Sequence, residues 1–217
     1  MTGHVLVFAG GDPTPAEVVA TLPDAALVVA ADSGATHALA AGRRVDVLVG
    51  DLDSAPPDIV DRVRADGGRL EWHRPDKNAT DLALALDVAV ALRPTSGVTV
   101  VGGHGGRLDH LLGNLLLLAA PAYADVAIDA VLGPARVVVV RGRRTLRGRP
   151  RELVTLLPVG GPARGVSTER LLFPLSDATL EPGTTWGVSN QLVGKEAAVR
   201  VGNGTVLAVL PGQLGVL

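Results

Sequence analysis

The chain has 217 residues with 47% hydrophobic content, enough for one large domain or two small ones with a sizeable core. A formal net charge of -2 gives no global electrostatic case for nucleic acid. The absence of cysteine excludes disulfides and thiolate metal sites and suits a reducing compartment, so a cytoplasmic location is expected. The opening MTGHVLVFAGG lacks a basic n-region and a long h-region. No apolar run reaches the roughly 18 residues of a membrane helix, so neither signal peptide nor membrane span is expected. Rings are scarce: Phe8, Trp72, Tyr123, Phe173 and Trp186 are all of them, and the core must rest on Val, Leu and Ala. Lys77 and Lys195 are the only lysines, a bias we attribute to a GC-rich genome.

From the N-terminus, strand-like and helix-like segments alternate. HVLVFA reads as a strand and TPAEVVATL as a helix. ALVVAA is a strand, followed by a helix ATHALAAG that Gly42 ends. VDVLVG is a strand, PPDIVDRVRAD a helix with prolines at its start, and RLEWH a strand. TDLALALDVAVAL is a helix with Thr80 as N-cap, VTVVGG a strand, and LDHLLGNLLLLAA a helix. Short, continuous, Val-rich strands alternating with helices predict a mainly parallel sheet covered on both faces. After about residue 125 the pattern changes. VAIDAVLG, ARVVVVRG, ELVTLLPV, LLFPL, TTWGVSN, EAAVRVG and TVLAVLPG are strand candidates separated by Gly, Pro or Asn, which predicts an all-β module. The arginine-rich stretch 141–151 reads as a solvated hinge, which divides the chain into domains 1–140 and 141–217.

Aspartates recur where strands run out: Asp32, Asp51, Asp76, Asp81 and Asp109. In an open α/β sheet ligands bind beyond the carboxyl ends of the strands, and carboxylates gathered there suit Mg²⁺ and substrate phosphates. Asp51 and Asp53 are two apart, so an extended segment points both the same way. VVGGHGGRLDH (100–110) is a glycine-rich turn between strand and helix. Such a turn offers backbone N–H groups to phosphate, Arg107 adds a bidentate contact, and Asp109 sits in the first helical turn. In DKNATD (76–81) Asp81 looks out from a helix start, and ADSGATH (31–37) places Asp32 before Ser33-Gly34. There is no GxxxxGK[ST], no GxGxxG after the first strand and no GxSxG elbow, and the five histidines lack zinc spacing. His110 reads as a structural neighbour of the site. These features point to an enzyme that handles a phosphorylated substrate.

In matching order, ADSGATHALAAG, VDVLVGDLDS, KNATDLALAL, GGHGGRLDHLLGN, RGVSTERLLFPL and GVSN resemble the thiamine pyrophosphokinase family over nearly the whole chain. The resemblance implies an α/β ATP- and Mg-binding catalytic domain followed by a smaller β-sandwich that binds thiamine. It also implies a homodimer, and transfer of diphosphate from ATP to thiamine with release of AMP. Asp51, Asp53 and Asp81 are then expected around Mg²⁺ and the ATP phosphates, with Asp32 in or beside them. Gly34, Gly103, Gly105 and Arg107 are expected at the nucleotide, and Asp109 near the substrate hydroxyl. Either Asp109 or Asp81 would accept the hydroxyl proton. Phe173, Ser189 and Asn190 are expected at thiamine, Phe173 stacking on its ring across the dimer. Ser33, Thr36 and Gln191 depart from the family's usual Gly, Asn and Glu. Trp186 is an additional ring near the Ser189-Asn190 pair. Two alternatives are a diphosphokinase for another hydroxymethyl heterocycle, such as a pterin, and a non-catalytic nucleotide-sensing module. A third is an unrelated Mg²⁺ phosphohydrolase.

Overall fold

The computed structural model describes residues 3–74 and 78–212, so Asp76 and Lys77 lie outside the described residues. The chain divides into two compact units. One comprises residues 1–117 and 125–133, the other residues 118–124 and 134–217.

The first unit is a mixed α/β structure. Its strands are β1 Val5–Phe8, β2 Leu27–Ala31, β3 Val47–Gly50, β4 Arg69–Trp72, β5 Val98–Val101 and β6 Ile128–Leu132. They run in the order β6-β5-β1-β2-β3-β4, and every adjacent pair is parallel. All carboxyl ends therefore share one edge, and the strand order reverses between β1 and β5. Alternation along the strands sends Leu6, Phe8, Val28, Ala30 and Leu48 into a core with α2 Gly34–Ala40 and α3 Pro57–Ala65. On α4 Asp81–Ala91 the buried residues are Leu82, Ala85, Leu86 and Ala89, an i, i+3, i+4, i+7 stripe that packs on β1, β2 and β3. Thr80 caps this helix, its hydroxyl accepting from the Ala83 amide at 3.2 Å.

The first predicted helix is shorter than TPAEVVATL suggests. Only α1 Ala16–Val19 forms, because Pro15 starts it and Pro23 disfavours helical geometry at Leu22. Gly34 opens α2 where an added Cβ would lie 2.2 Å from the Phe8 carbonyl, so only glycine lets this helix approach β1 so closely. The last helix of the unit is α5 Leu108–Leu118.

The second unit holds β7 Ala135–Arg147, β8 Leu153–Glu169, β9 Ala178–Leu180, β10 Asn190–Gln191 and β11 Glu196–Leu210. β11 lies between β7 and β8 and is antiparallel to both, while β9 and β10 pair antiparallel with β8. Its core includes Val140, Leu146, Leu156, Val166, Leu180, Leu192, Val199 and Val206.

Several sequence expectations change here. VAIDAVLG belongs to the first unit as β6, paired parallel to β5. EAAVRVG and TVLAVLPG form one strand with a register shift between Val201 and Val206, and ELVTLLPV runs on through Gly160-Gly161 to Glu169. Glycines read as turns are irregularities inside long strands. LLFPL contributes only the isolated Leu171–Leu192 bridge. The second unit takes in residues 118–124 and resumes at Pro134.

The arginine-rich stretch is no hinge. Residues 141–147 are β7, with Arg143 paired to Glu169 at 3.0 Å and Arg147 to Glu196 at 3.0 Å across strands. Arg141 donates to the carbonyls of Ala120 (3.0 Å) and Tyr123 (3.2 Å) and to Thr205 Oγ1 (3.2 Å). This ties segment 118–124 to the second unit.

Candidate active site

Asp32 follows β2 with φ +47° and is 6% exposed. A non-glycine residue rarely adopts that geometry, though Asp tolerates it better than most. The turn aims its carboxylate inward. Oδ2 accepts from the Ser54 hydroxyl, while Oδ1 is buried with no hydrogen-bond partner. A buried carboxylate oxygen without a donor is costly unless a cation faces it.

Asp51 and Asp53 follow β3. Leu52 between them has φ +61°, and the Asp53 amide donates to Asp51 Oδ1 at 3.3 Å. Carboxylate oxygens of Asp32, Asp51 and Asp53 lie within 4.8 Å of one another. Asp81 reaches the same place from the first turn of α4. A Cβ on Gly50 (φ +147°) would stand 3.0 Å from Asp81 Oδ1 and 3.2 Å from Asp32 Cβ. Glycine is therefore required both for the backbone angle and for the convergence. The neighbouring charge of Asp51 and its hydrogen bond push the Asp53 carboxyl above its ordinary value of 3.8, with Asp32 and Asp81 adding to the effect. Asp32, Asp51 and Asp53 thus form one cluster, with Asp81 next to it across Gly50, while Asp109 is paired with Arg107 instead. All-oxygen donors that repel each other, with one oxygen orphaned, fit a hard divalent cation.

The glycine loop after β5 lies against the loop after β1, at the point where strand order reverses. Gly103 donates to the Gly10 carbonyl (2.7 Å) and Asp12 donates to the His104 carbonyl (2.8 Å). The Gly103 carbonyl accepts from Asn114 Nδ2 at 2.9 Å. The Gly103 amide expected at the nucleotide is therefore engaged by Gly10, and this residue holds the loop in place. Gly105 leaves room for Asp12: a Cβ there would lie 2.1 Å from its carboxylate. Ser33 Oγ sits against Gly10, where a Cβ would be 2.3 Å away, so the Ser33 departure narrows this junction.

Arg107 forks onto Asp109, with Nη2–Oδ2 at 2.5 Å and Nε–Oδ1 at 3.2 Å, both side chains exposed. The guanidinium holds the Asp109 carboxyl at about 2, and the carboxylate pushes Arg107 upward. An acid this strong is a poor proton acceptor at neutral pH. A cavity of about 620 Å³ opens between α1 and α2, its floor formed by Phe8 and Val101 at the ends of the two switch-point strands.

In the second unit the three expected residues share one small assembly. Asn190 is 7% exposed; its Oδ1 accepts from the amides of Phe173 (3.0 Å) and Gln191 (2.9 Å), and its Nδ2 donates to the Phe173 carbonyl at 2.6 Å. The Asn190 amide group is thus occupied in clasping the Phe173 backbone. Phe173 itself is 62% exposed, and Ser189 is exposed with φ +60°, its amide donating to Thr155 Oγ1 at 3.2 Å. Ser54 and Asn114 close two of the motifs that carry the resemblance but have no role assigned from sequence, and Thr155 lies outside them. Their partners lie 22, 11 and 34 residues away, so the roles are not legible locally.

Carboxylates gathered at the carboxyl edge of a parallel sheet, beside an arginine-bearing glycine loop, define a class of enzyme that works on phosphate groups. Sequence comparison narrows the class. The family model "Thiamin pyrophosphokinase, catalytic domain" matches residues 19–129, and "Thiamin pyrophosphokinase, vitamin B1 binding domain" matches residues 145–206. The chain belongs to the thiamin pyrophosphokinase family. It is 24% identical over 185 residues to thiamine pyrophosphokinase of Bacillus subtilis, covering 84% of this chain and 86% of that protein. Its fold matches the crystal structure of the Bacillus subtilis thiamine pyrophosphokinase with TM-score 0.83 at 23% identity, over 97% of this chain and 100% of the other. The thiamin pyrophosphokinase of Geobacillus thermodenitrificans matches with TM-score 0.81 at 27% identity, over 99% and 100%. Among the described residues no helix is long and apolar enough to cross a membrane.

Proposed function

We propose that this chain transfers diphosphate from ATP to the hydroxyl of thiamine, giving thiamine diphosphate and AMP. The observation that carries the reading is the convergence of Asp32, Asp51, Asp53 and Asp81 within a chain matched by both halves of the thiamin pyrophosphokinase family. The thiamine hydroxyl oxygen attacks the β-phosphorus, the bond between that phosphorus and the α–β bridging oxygen breaks, and AMP leaves. Such transfer needs alignment and charge stabilisation more than covalent help from protein.

Asp51, Asp53 and Asp81, backed by Asp32, would hold Mg²⁺, which supplies charge neutralisation on the phosphate oxygens. Arg107 offsets charge on the transferred group, with Asp109 keeping its guanidinium aimed. With Arg107 holding the Asp109 carboxyl low, we favour Asp81 over Asp109 as acceptor of the hydroxyl proton. The amide of Gly105 and the start of α2 at Gly34 border the nucleotide. Phe173 and Ser189 contact thiamine, and Asn190 positions Phe173. We place the ATP chemistry in the first unit and thiamine in the second, which we read as a β-sandwich. The support is a β8 that pairs with β9 and β10 as well as with β11.

We further propose a cytoplasmic homodimer. The cysteine-free composition favours the location, and an exposed stripe of Leu108, Leu112 and Leu116 on α5 favours the partner. Neither nucleic acid nor membrane enters as a partner. Replacing Asp51 or Asp53 with Asn tests the site. Thiamine-dependent turnover should fall on the order of a thousandfold with an unchanged circular dichroism spectrum. Full rate in either variant would remove the metal assignment.

A further inference from the structure

Thiamine is a cation with two aromatic rings, and a protein that holds it needs ring faces or carboxylates. Residues 145–206, the stretch matched to vitamin B1 binding, contain only two aromatic side chains, Phe173 and Trp186. Both are 62% exposed, in a chain that has five rings in all. A large ring left in water loses the burial that ordinarily stabilises it.

The two rings ride on one assembly. Asn190 grips Phe173 at both its amide and its carbonyl, and the Leu172 amide donates to the Gln191 carbonyl at 2.9 Å. Trp186 sits in the turn closed by the Val188 amide on the Thr185 carbonyl, at 3.0 Å. The turn is pinned next door: the Gly187 carbonyl accepts from the Leu156 amide at 2.8 Å, and a Cβ on Gly187 would lie 2.1 Å from the Leu156 carbonyl oxygen. The ring-bearing segments 171–173 and 186–193 contain no acidic residue. The adjoining Glu152 is already engaged by Arg136 and by the Arg149 amide. The side chains of these two segments thus offer a cation π faces and no carboxylate of their own.

We propose that Trp186 is a specificity-determining residue for thiamine, its indole face holding the thiazolium cation beside Phe173. The assignment rests on the thiamine diphosphotransfer reading above. It concerns a position outside the Phe173, Ser189 and Asn190 set.

The test is steady-state kinetics on the full-length protein with Trp186→Leu, Trp186→Phe and Glu181→Gln, the last being the nearest acidic residue in sequence. Trp186→Leu should raise KM for thiamine about tenfold and leave KM for ATP unchanged, and Trp186→Phe should restore most of the loss. With a neutral thiophene analogue of thiamine the Trp186→Leu penalty should vanish. Independently, in a Trp72→Phe background, thiamine should quench the fluorescence of the remaining indole. A thiamine KM unchanged in Trp186→Leu, or an equal penalty with the neutral analogue, overturns the proposal. So does a penalty confined to Glu181→Gln, or one accompanied by a changed sedimentation coefficient, which would make Trp186 a subunit contact. If the unmodified protein makes no thiamine diphosphate at all, the underlying reading fails instead, and that outcome is visible before any variant is made.

Discussion

The orphaned Oδ1 of Asp32 and the raised Asp53 carboxyl describe the same fact at two atoms: this corner of the molecule holds more negative charge than it can accommodate alone. The linkage has a definite sign. Above pH 3.8 the unfolded chain releases the Asp53 proton more readily than the folded one, so stability falls as pH rises toward the raised native value and is flat beyond it. Asp53→Asn should therefore raise the melting temperature of the ligand-free protein at pH 7 and change it little at pH 3. Mg²⁺ should raise the melting temperature of the unmodified protein more than that of the variant. A variant less stable at pH 7 would mean the cluster is not under repulsion. At the other carboxylate, Asp109→Asn should raise KM for ATP and lower kcat by less than about tenfold, keeping the acid limb of the pH profile. Loss of that limb would make Asp109 the base after all. Sequence displayed these aspartates because each ends an apolar run. It concealed that Asp109 is neutralised by its neighbour Arg107, since that pairing depends on the conformation of the loop that leads into α5.

Among elements, the alternation of Val-rich runs and helical stretches through residue 118 was legible, because parallel strands buried on both faces leave a plain signal. The β-region was less so. A continuous apolar run such as residues 126–133 does not say which sheet it will join, and β6 joined the parallel one. The glycines in β8 and β11 read as turns because a bulge and a turn use the same residues. The two hydrogen bonds that tie Asn190 to Phe173 are equally silent in sequence, since they clasp a residue 17 positions away. Asn190→Ala should cost about 2–4 kcal/mol, measured by denaturant titration, by leaving the Phe173 amide and carbonyl without their partner. It should also raise KM for thiamine. Unaltered stability would mean that the Phe173 segment is held by other contacts. Gly34→Val should be worse tolerated, for its Cβ meets backbone at Phe8 rather than a movable side chain.

For the molecule as a whole, the division between an acidic α/β unit and an antiparallel β unit accords with the proposed division of labour, phosphate in the first and a cationic heterocycle in the second. The exposed leucines of α5 predict self-association: Leu112→Glu should shift the sedimentation coefficient toward that of a 22.1 kDa monomer. A single species unaffected by that change would leave α5 outside any interface.

The most direct measurement is the nucleotide product formed when the protein is mixed with ATP, Mg²⁺ and thiamine and the phosphorus species are followed by ³¹P NMR. Diphosphate transfer predicts AMP and thiamine diphosphate in equal amounts, with neither appearing when thiamine is left out or replaced by a hydroxymethyl pterin. Accumulation of ADP or inorganic phosphate, or AMP release that needs no thiamine, would contradict it.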